Sequence, residues 1–189
     1  MIPIPIALVY SEFYNNDAGL LVSQFNEDNA KVIIEDVIAK NNEGIGLYLT
    51  GTGLTVNNAN SRNNGAAGLL IGPNYENKIT LAGDVTITNN EFGFYVGPAQ
   101  GTVHVTGNLI SNRNEKVGLG TFSDNFTIAV GGSYSGKSGK SGSGSLTACD
   151  NNQYDINNAG GITFEGSDYT CDTTNGTNLP ECKPCPGCL

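Results

Sequence analysis

The sequence predicts an all-β chain, a single right-handed parallel β-helix (solenoid) of about seven rungs that ends in a Cys-rich C-terminal tail. Three observations predict it. An Asn-rich string followed by Gly and alternating apolar residues recurs at a near-constant period. A second, in-out-in strand keeps the same beat. No stretch carries Ala, Leu, Glu and Lys at the spacing an amphipathic helix needs.

The recurring string begins as Asn15-Asn16-Asp17-Ala18-Gly19-Leu20-Leu21-Val22 and returns as Asn41-Asn42-Glu43-Gly44-Ile45-Gly46-Leu47-Tyr48-Leu49. Further copies start at Asn63-Asn64, at Asn89-Asn90 and, more weakly, at Asn114; Asn157-Asn158 to Phe164 reads as the last. The glycines at 19, 46, 68, 93 and 118 are separated by 27, 22, 25 and 25 residues. A strand in every unit at such a period is the mark of a solenoid.

The second strand is read from Val32-Ile33-Ile34, Leu54-Thr55-Val56, Ile79-Thr80-Leu81, Val103-His104-Val105 and Phe126-Thr127-Ile128. A poorer third strand contains Val37-Ile38, Val85-Thr86-Ile87 and Leu109-Ile110. Three short strands per coil form a prism in which each strand pairs with its own copies above and below. One inward column is then Leu20, Leu47, Leu69, Phe94, Leu119 and Ile162. Asn29, Gly53, Asn77, Gly101 and Asn125, each 24 residues apart, suit corners, because Asn and Gly tolerate left-handed backbone. The paired asparagines of the other corner are placed to hydrogen-bond along the stack as an amide ladder. A β-sandwich also has frequent turns, but it does not repeat one string at one period.

The string Asn-Asn-x-x-(x)-Gly-apolar-x-apolar, from about Asn15 to Phe164, resembles the parallel β-helix repeats of the pectate-lyase-like superfold. That resemblance implies architecture and not activity. The ending, Cys171-Asp172-Thr173 through Leu179-Pro180-Glu181-Cys182-Lys183-Pro184-Cys185, is similar to the Cys-rich termination of large secreted β-helix proteins of algae such as diatoms. It implies an extracellular module of a larger cell-surface or wall protein.

Charge narrows the partners. A net charge of −9 with nine Lys and Arg offers no basic footprint for nucleic acid. No apolar run reaches the length of a transmembrane segment, and no cofactor motif stands in a suitable context. The apolar start, Met1 to Ile6, lacks a basic region and cleavage site, and reads as a strand entered part-way, as in a domain excised from a longer chain. The organisation expected is a β-helix over 1–170, with a Gly/Ser-rich degenerate rung or loop at 131–145, and a disulfide-bonded tail over 171–189.

All five cysteines, at 149, 171, 182, 185 and 188, lie near the C-terminus. Cys149 and Cys171 are 22 residues apart in matching Ala-Cys-Asp and Thr-Cys-Asp contexts, which predicts a rung-to-rung disulfide between them. Cys182-x-x-Cys185-x-x-Cys188 lacks a fourth zinc ligand, so a disulfide-bonded tail is expected there in place of a metal site. Asn125-Phe126-Thr127 and Asn175-Gly176-Thr177 are glycosylation sequons, in keeping with secretion.

The step from Gly118 to Gly161 is 43 residues, close to two short coils, so the Gly/Ser stretch from Gly131 is read as a whole coil with one loop-like side. It contains a formal phosphate-loop match, Gly131 to Ser138. The continuation of that match, Gly-Lys-Ser-Gly-Ser-Gly-Ser, cannot supply the helix N-terminus that phosphate binding requires.

Two classes of function suit such a scaffold. Polysaccharide lysis or hydrolysis needs clustered acids and a base, and Glu35, Asp36, Asp84, Lys40 and Arg62 are the candidates; they form no compact set in the sequence. The other class is non-catalytic adhesion, matrix structure or carbohydrate contact. Here Leu21, Tyr48, Leu70 and Tyr95 fall at outward positions of the Gly-led strand, where a solvated sheet should be polar. The partner expected for this stripe is a polysaccharide or a neighbouring protein domain. The other outward column, Ile33, Thr55, Thr80, His104 and Thr127, resembles an ice-binding array only loosely, because Ile and His interrupt it. The leading expectation is a non-catalytic extracellular module, with a lyase or hydrolase as the alternative.

Overall fold

The computed structural model describes residues 6–24, 31–73, 76–131 and 144–186. They form a parallel β-solenoid of about six turns, with no helix among them. In chain order the strands are β1 (Ile6–Val9), β2 (Glu12–Tyr14), β3 (Leu20–Gln24), β4 (Val32–Lys40), β5 (Leu47–Arg62), β6 (Ala67–Ile71), β7 (Asn77–Thr88), β8 (Phe92–Val96) and β9 (Gln100–Val105). They continue as β10 (Asn108–Asn112), β11 (Val117–Thr121), β12 (Asn125–Val130), β13 (Ser145–Thr147), β14 (Tyr154–Asn158), β15 (Thr163–Gly166), β16 (Tyr169–Thr170), β17 (Thr174–Gly176) and β18 (Cys182–Lys183).

Each coil buries alternate residues of its three faces. On the Gly-led face Leu20, Leu47, Leu69, Phe94, Leu119 and Ile156 are in register from rung to rung. The second face stacks Ile34, Val56, Leu81, Val105 and Val130. The third stacks Val37, Ala59, Val85, Leu109, Leu146, Tyr169 and Cys182. These columns form one continuous apolar core. No helix is long and apolar enough to cross a membrane among the described residues.

The Asn-Gly string is a single structural device. The first residue of each pair takes the left-handed conformation, with φ of 55° at Asn41, Asn63 and Asn89, 57° at Arg113 and 58° at Asp150. The second residue turns inward, and its amide oxygen accepts from the backbone N–H and the amide of the preceding rung. Asn42 donates to Asn64 at 3.1 and 2.9 Å, Asn64 to Asn90 at 3.0 and 2.9 Å, and Asn90 to Asn114 at 3.1 and 3.2 Å. Asn114 continues to Asn151 at 2.9 and 3.1 Å. The expected amide ladder is present, and each step satisfies buried polar groups that would otherwise destabilise the core. The glycines make room for it. A Cβ at Gly46 would come within 2.6 Å of Asn64 Nδ2, and one at Gly93 within 2.6 Å of Asn114 Nδ2.

Three expectations need correction, all toward the C-terminus. The segment from Gly118 to Gly161 contributes one rung, not two: Leu119 pairs with Ile156, 37 residues on, and Asn108 pairs with Ser145. Val105 and Asn108 are separated by three residues, whereas Val130 and Ser145, their counterparts one rung later, are separated by fifteen. The surplus is an insertion at the corner between the second and third faces, where no strand pairing limits its length. Most of the Gly/Ser stretch and of the phosphate-loop match, residues 132–143, lies outside the described residues. The turns therefore number about six and not seven.

The second correction stems from the first: Ile156, not Ile162, ends the inward column on the Gly-led face. Thr163 and Phe164 pair instead with Thr127 and Ile128 on the second face. Ala129, not Thr127, is in register with His104, so the outward Thr column is interrupted by Ala as well.

The third concerns the disulfides. Cys149 bonds to Cys185 and Cys171 to Cys182, in place of a Cys149–Cys171 bridge. Leu146 pairs with Tyr169 and Thr147 with Thr170, which brings Cys171 level with Ala148 and leaves Cys149 one residue out of register. A one-residue offset in a strand reverses the direction of the side chain, so the two sulfurs do not meet. The tail reaches both instead, with Cys182 paired above Tyr169 and the Cys185 N–H donating to Asp172 Oδ1 at 2.8 Å. Cys188 and the corner position Asn29 lie outside the described residues.

Loops closed by separations of 36 and 11 residues make reduction consequential. By the chain-entropy relation the two bonds contribute about 4 and 3 kcal/mol. Reduction is expected to speed amide hydrogen exchange in 144–186 well ahead of the coils before Gly107. Uniform acceleration along the chain would contradict this assignment of the clamp.

Candidate functional site

The stripe expected from the sequence forms as a column. Leu21, Tyr48, Leu70 and Tyr95 are in register on the outward side of the Gly-led face, and Gly120 and Asn157 continue the column. Leu21 is 62% exposed and the other three side chains are half-buried. The half-burial has a cause in the neighbouring rung. Tyr95 lies over Gly120, whose Cβ, if it had one, would sit 3.0 Å from Tyr95 Cδ2 and 3.2 Å from Cε2. Tyr48 reaches across Gly72, where a Cβ would overlap its hydroxyl and lie 2.8 Å from Cε2. Both rings thus lie down along the sheet over glycine, and their broad faces are turned to solvent. Burial on one side pushes the Tyr95 hydroxyl pKa upward.

Two aromatic residues extend the stripe beyond its sequence prediction. Phe122, 62% exposed, packs against Tyr95 with ring centroids 5.5 Å apart, and Phe92 meets Tyr95 from the other side at 5.5 Å. Phe122 was legible in principle: Leu119 and Thr121 point inward, so period-two alternation turns Phe122 outward beside Gly120. Lys116 Nζ stands 4.9 Å from the Phe92 ring centroid and is ion-paired with Glu91.

Carboxylates border the stripe. Glu43, Glu91 and Glu115 follow successive ladder asparagines along one edge, and Glu76 and Asp124 are exposed at the opposite corner. Lys116 and Lys78, the cations beside these edges among the described residues, are held by Glu91 and by Glu76 at 3.7 Å.

The acidic residues considered for catalysis are dispersed into amide pairs. Glu35 Oε1 accepts from Asn57 at 3.1 Å, Asp36 Oδ1 from Asn58 at 3.0 Å and Asp84 Oδ1 from Asn108 at 2.8 Å. Lys40 is ion-paired with Glu12 at 2.9 Å and adjoins Arg62 in register. These are rung-to-rung hydrogen bonds of the same kind as the asparagine ladder.

A tighter acidic group, Asp155, Asp172 and Cys185, has ligand atoms within 4.8 Å of one another. Its geometry is that of a hydrogen-bond terminus. Asp155 Oδ1 accepts from the backbone and side chain of Asn151 at 3.3 and 3.0 Å, and Oδ2 from the N–H groups of Asp172 and Thr173 at 2.9 and 3.0 Å. Cys185 is committed to its disulfide and has no thiolate to offer. The ladder ends on this buried carboxylate.

The sequons stand at exposed asparagines. Asn125 opens β12, and Asn175 in β17 donates to Asn157 Oδ1 at 3.1 Å. His104 is half-buried on the second face, and desolvation lowers its pKa while Glu165 opposes the shift. In the unfolded chain it takes up its proton first as pH falls below 6.5, so acid costs stability there. His104→Thr, matching Thr80 below it, is expected to flatten the loss of stability between about pH 7.5 and 5.5 in urea titrations. An unchanged slope would assign that loss to other groups.

No family model, curated protein or solved structure matches the chain.

Proposed function

We propose that this chain is a non-catalytic, extracellular β-helix module that contacts carbohydrate through the Leu21–Tyr48–Leu70–Tyr95 stripe. The observation that carries the reading is the pair of tyrosine rings laid flat over Gly72 and Gly120 in one register column. An outward sheet position normally favours polar residues, and an aromatic ring offers flat apolar area with a polar rim. Glycine beneath each ring favours a surface built for contact over incidental exposure. Two disulfides and two exposed sequons support an oxidising, secretory setting, in line with the resemblance to pectate-lyase-like and algal cell-surface β-helices. Adhesion or wall structure is the role such a module would serve. A lyase or hydrolase on the same scaffold has less support, because Glu35, Asp36 and Asp84 are each engaged by an asparagine amide.

The test is a glycan array beside a panel of soluble polysaccharides, scored for both binding and cleavage. Binding without chain shortening is expected, and Tyr48→Ser with Tyr95→Ser should abolish it at unchanged melting temperature. Release of oligosaccharide products would overturn the non-catalytic reading. Binding untouched by the double substitution would overturn the stripe.

A further inference from the structure

Resting on that reading, we infer that the ligand is an extended, uncharged, β-1,4-linked polysaccharide lying along the solenoid axis. Three features of the stripe select this chemistry.

The first is direction and period. The column runs parallel to the stack, so Tyr48 and Tyr95 are two rungs apart, about 10 Å at the usual strand spacing. A β-1,4-linked hexopyranose chain with equatorial linkages is a straight ribbon whose disaccharide repeat is close to that distance. Every second sugar can then present the same face to the next tyrosine. An α-linked chain coils and loses the register after one repeat.

The second is the character of the surface. Tyr48, Leu70, Tyr95 and Phe122 are flat or aliphatic and present few hydrogen-bonding groups. They match the axial C–H faces of such a ribbon, which are its apolar surfaces. A branched or heavily substituted glycan would not lie on a strip one side chain wide.

The third is charge. Glu43, Glu91 and Glu115 on one border, with Glu76 and Asp124 on the other, repel uronate or sulfate polymers. Lys116 and Lys78 are already paired with Glu91 and Glu76. The same borders, on a chain of net charge −9, oppose burial of the stripe against a second copy of itself.

The experiment uses the full chain in affinity electrophoresis and calorimetry. Soluble β-1,4-glucan, β-1,4-mannan, amylose and polygalacturonate are compared, followed by β-1,4-gluco-oligosaccharides of increasing length. Retention by a β-1,4-linked neutral polymer is expected, with affinity rising to about four sugars, the span from Tyr48 to Phe122, and then levelling. Tyr48→Ala and Tyr95→Ala should each weaken binding about ten-fold, and Tyr95→Phe should restore it. Tyrosine-dependent binding of polygalacturonate or amylose in preference to the β-1,4 polymers would overturn this ligand class while leaving the carbohydrate stripe standing. Binding of no glycan at all would overturn both. Circular dichroism and melting of each variant confirm that a loss is local.

Discussion

Asp155→Asn is expected to destabilise the protein by about 3–5 kcal/mol, although it changes only one side-chain atom in type and preserves shape. Four N–H groups converge on the carboxylate, two on each oxygen. An asparagine supplies one acceptor oxygen, so two donors would face an NH₂ group. Each buried donor left without an acceptor costs about 1–3 kcal/mol, and Asp155 is 2% exposed. The effect should propagate, because Asn151 would lose the acceptor that terminates the ladder from Asn42. Urea unfolding measures it. A variant within about 1 kcal/mol of the parent would mean that water replaces these bonds and that the ladder does not need a carboxylate at its end.

Gly93→Ala is the second substitution of large expected effect. A methyl group there would overlap Ser111 Oγ and the Gly118 carbonyl oxygen and approach Asn114 Nδ2 to 2.6 Å. Ser111 is a hub: its hydroxyl donates to Gly118 O at 2.5 Å, accepts from Phe94 N–H at 3.2 Å and accepts from Asn114 at 3.3 Å. Overpacking costs about 1–3 kcal/mol, and the displaced hub adds to it, for an expected total of about 3–5 kcal/mol. Gly97→Ala is the control. It has no positive φ, and its Cβ would meet only Ile71 O at 3.3 Å and Leu70 Cδ1 at 3.8 Å, so about 1 kcal/mol or less is expected. Equal destabilisation by the two would remove the link between the recurrent glycine and the ladder.

These two residues show how differently the parts of the molecule were legible. Gly93 and Asn114 belong to a string that recurs, and recurrence alone marked them as parts of one device. The outward stripe was equally readable, since Leu21, Tyr48, Leu70 and Tyr95 occupy one position of that string and fall into one column. Phe122 was passed over because Gly120 stands where the next tyrosine would be, and its role emerges only when the Tyr95 ring is seen lying over that glycine. Asp155 carried no signal. Its partners lie 4, 17 and 18 residues away, on rungs that the repeat no longer describes.

By itself the sequence determined the solenoid, its three faces, the asparagine ladder and the columns of the first five coils. There the indels are small and fall at corners, so the period survives. The tertiary structure decided everything after Val130: one long rung in place of two, Ile156 in place of Ile162, and Cys185 and Cys182 as the partners of Cys149 and Cys171. The physical reason is that side chains alternate with a period of two residues. Once an insertion of unknown extent intervenes, an error of a single residue sends a cysteine to the opposite face, and only the paired strands fix the count.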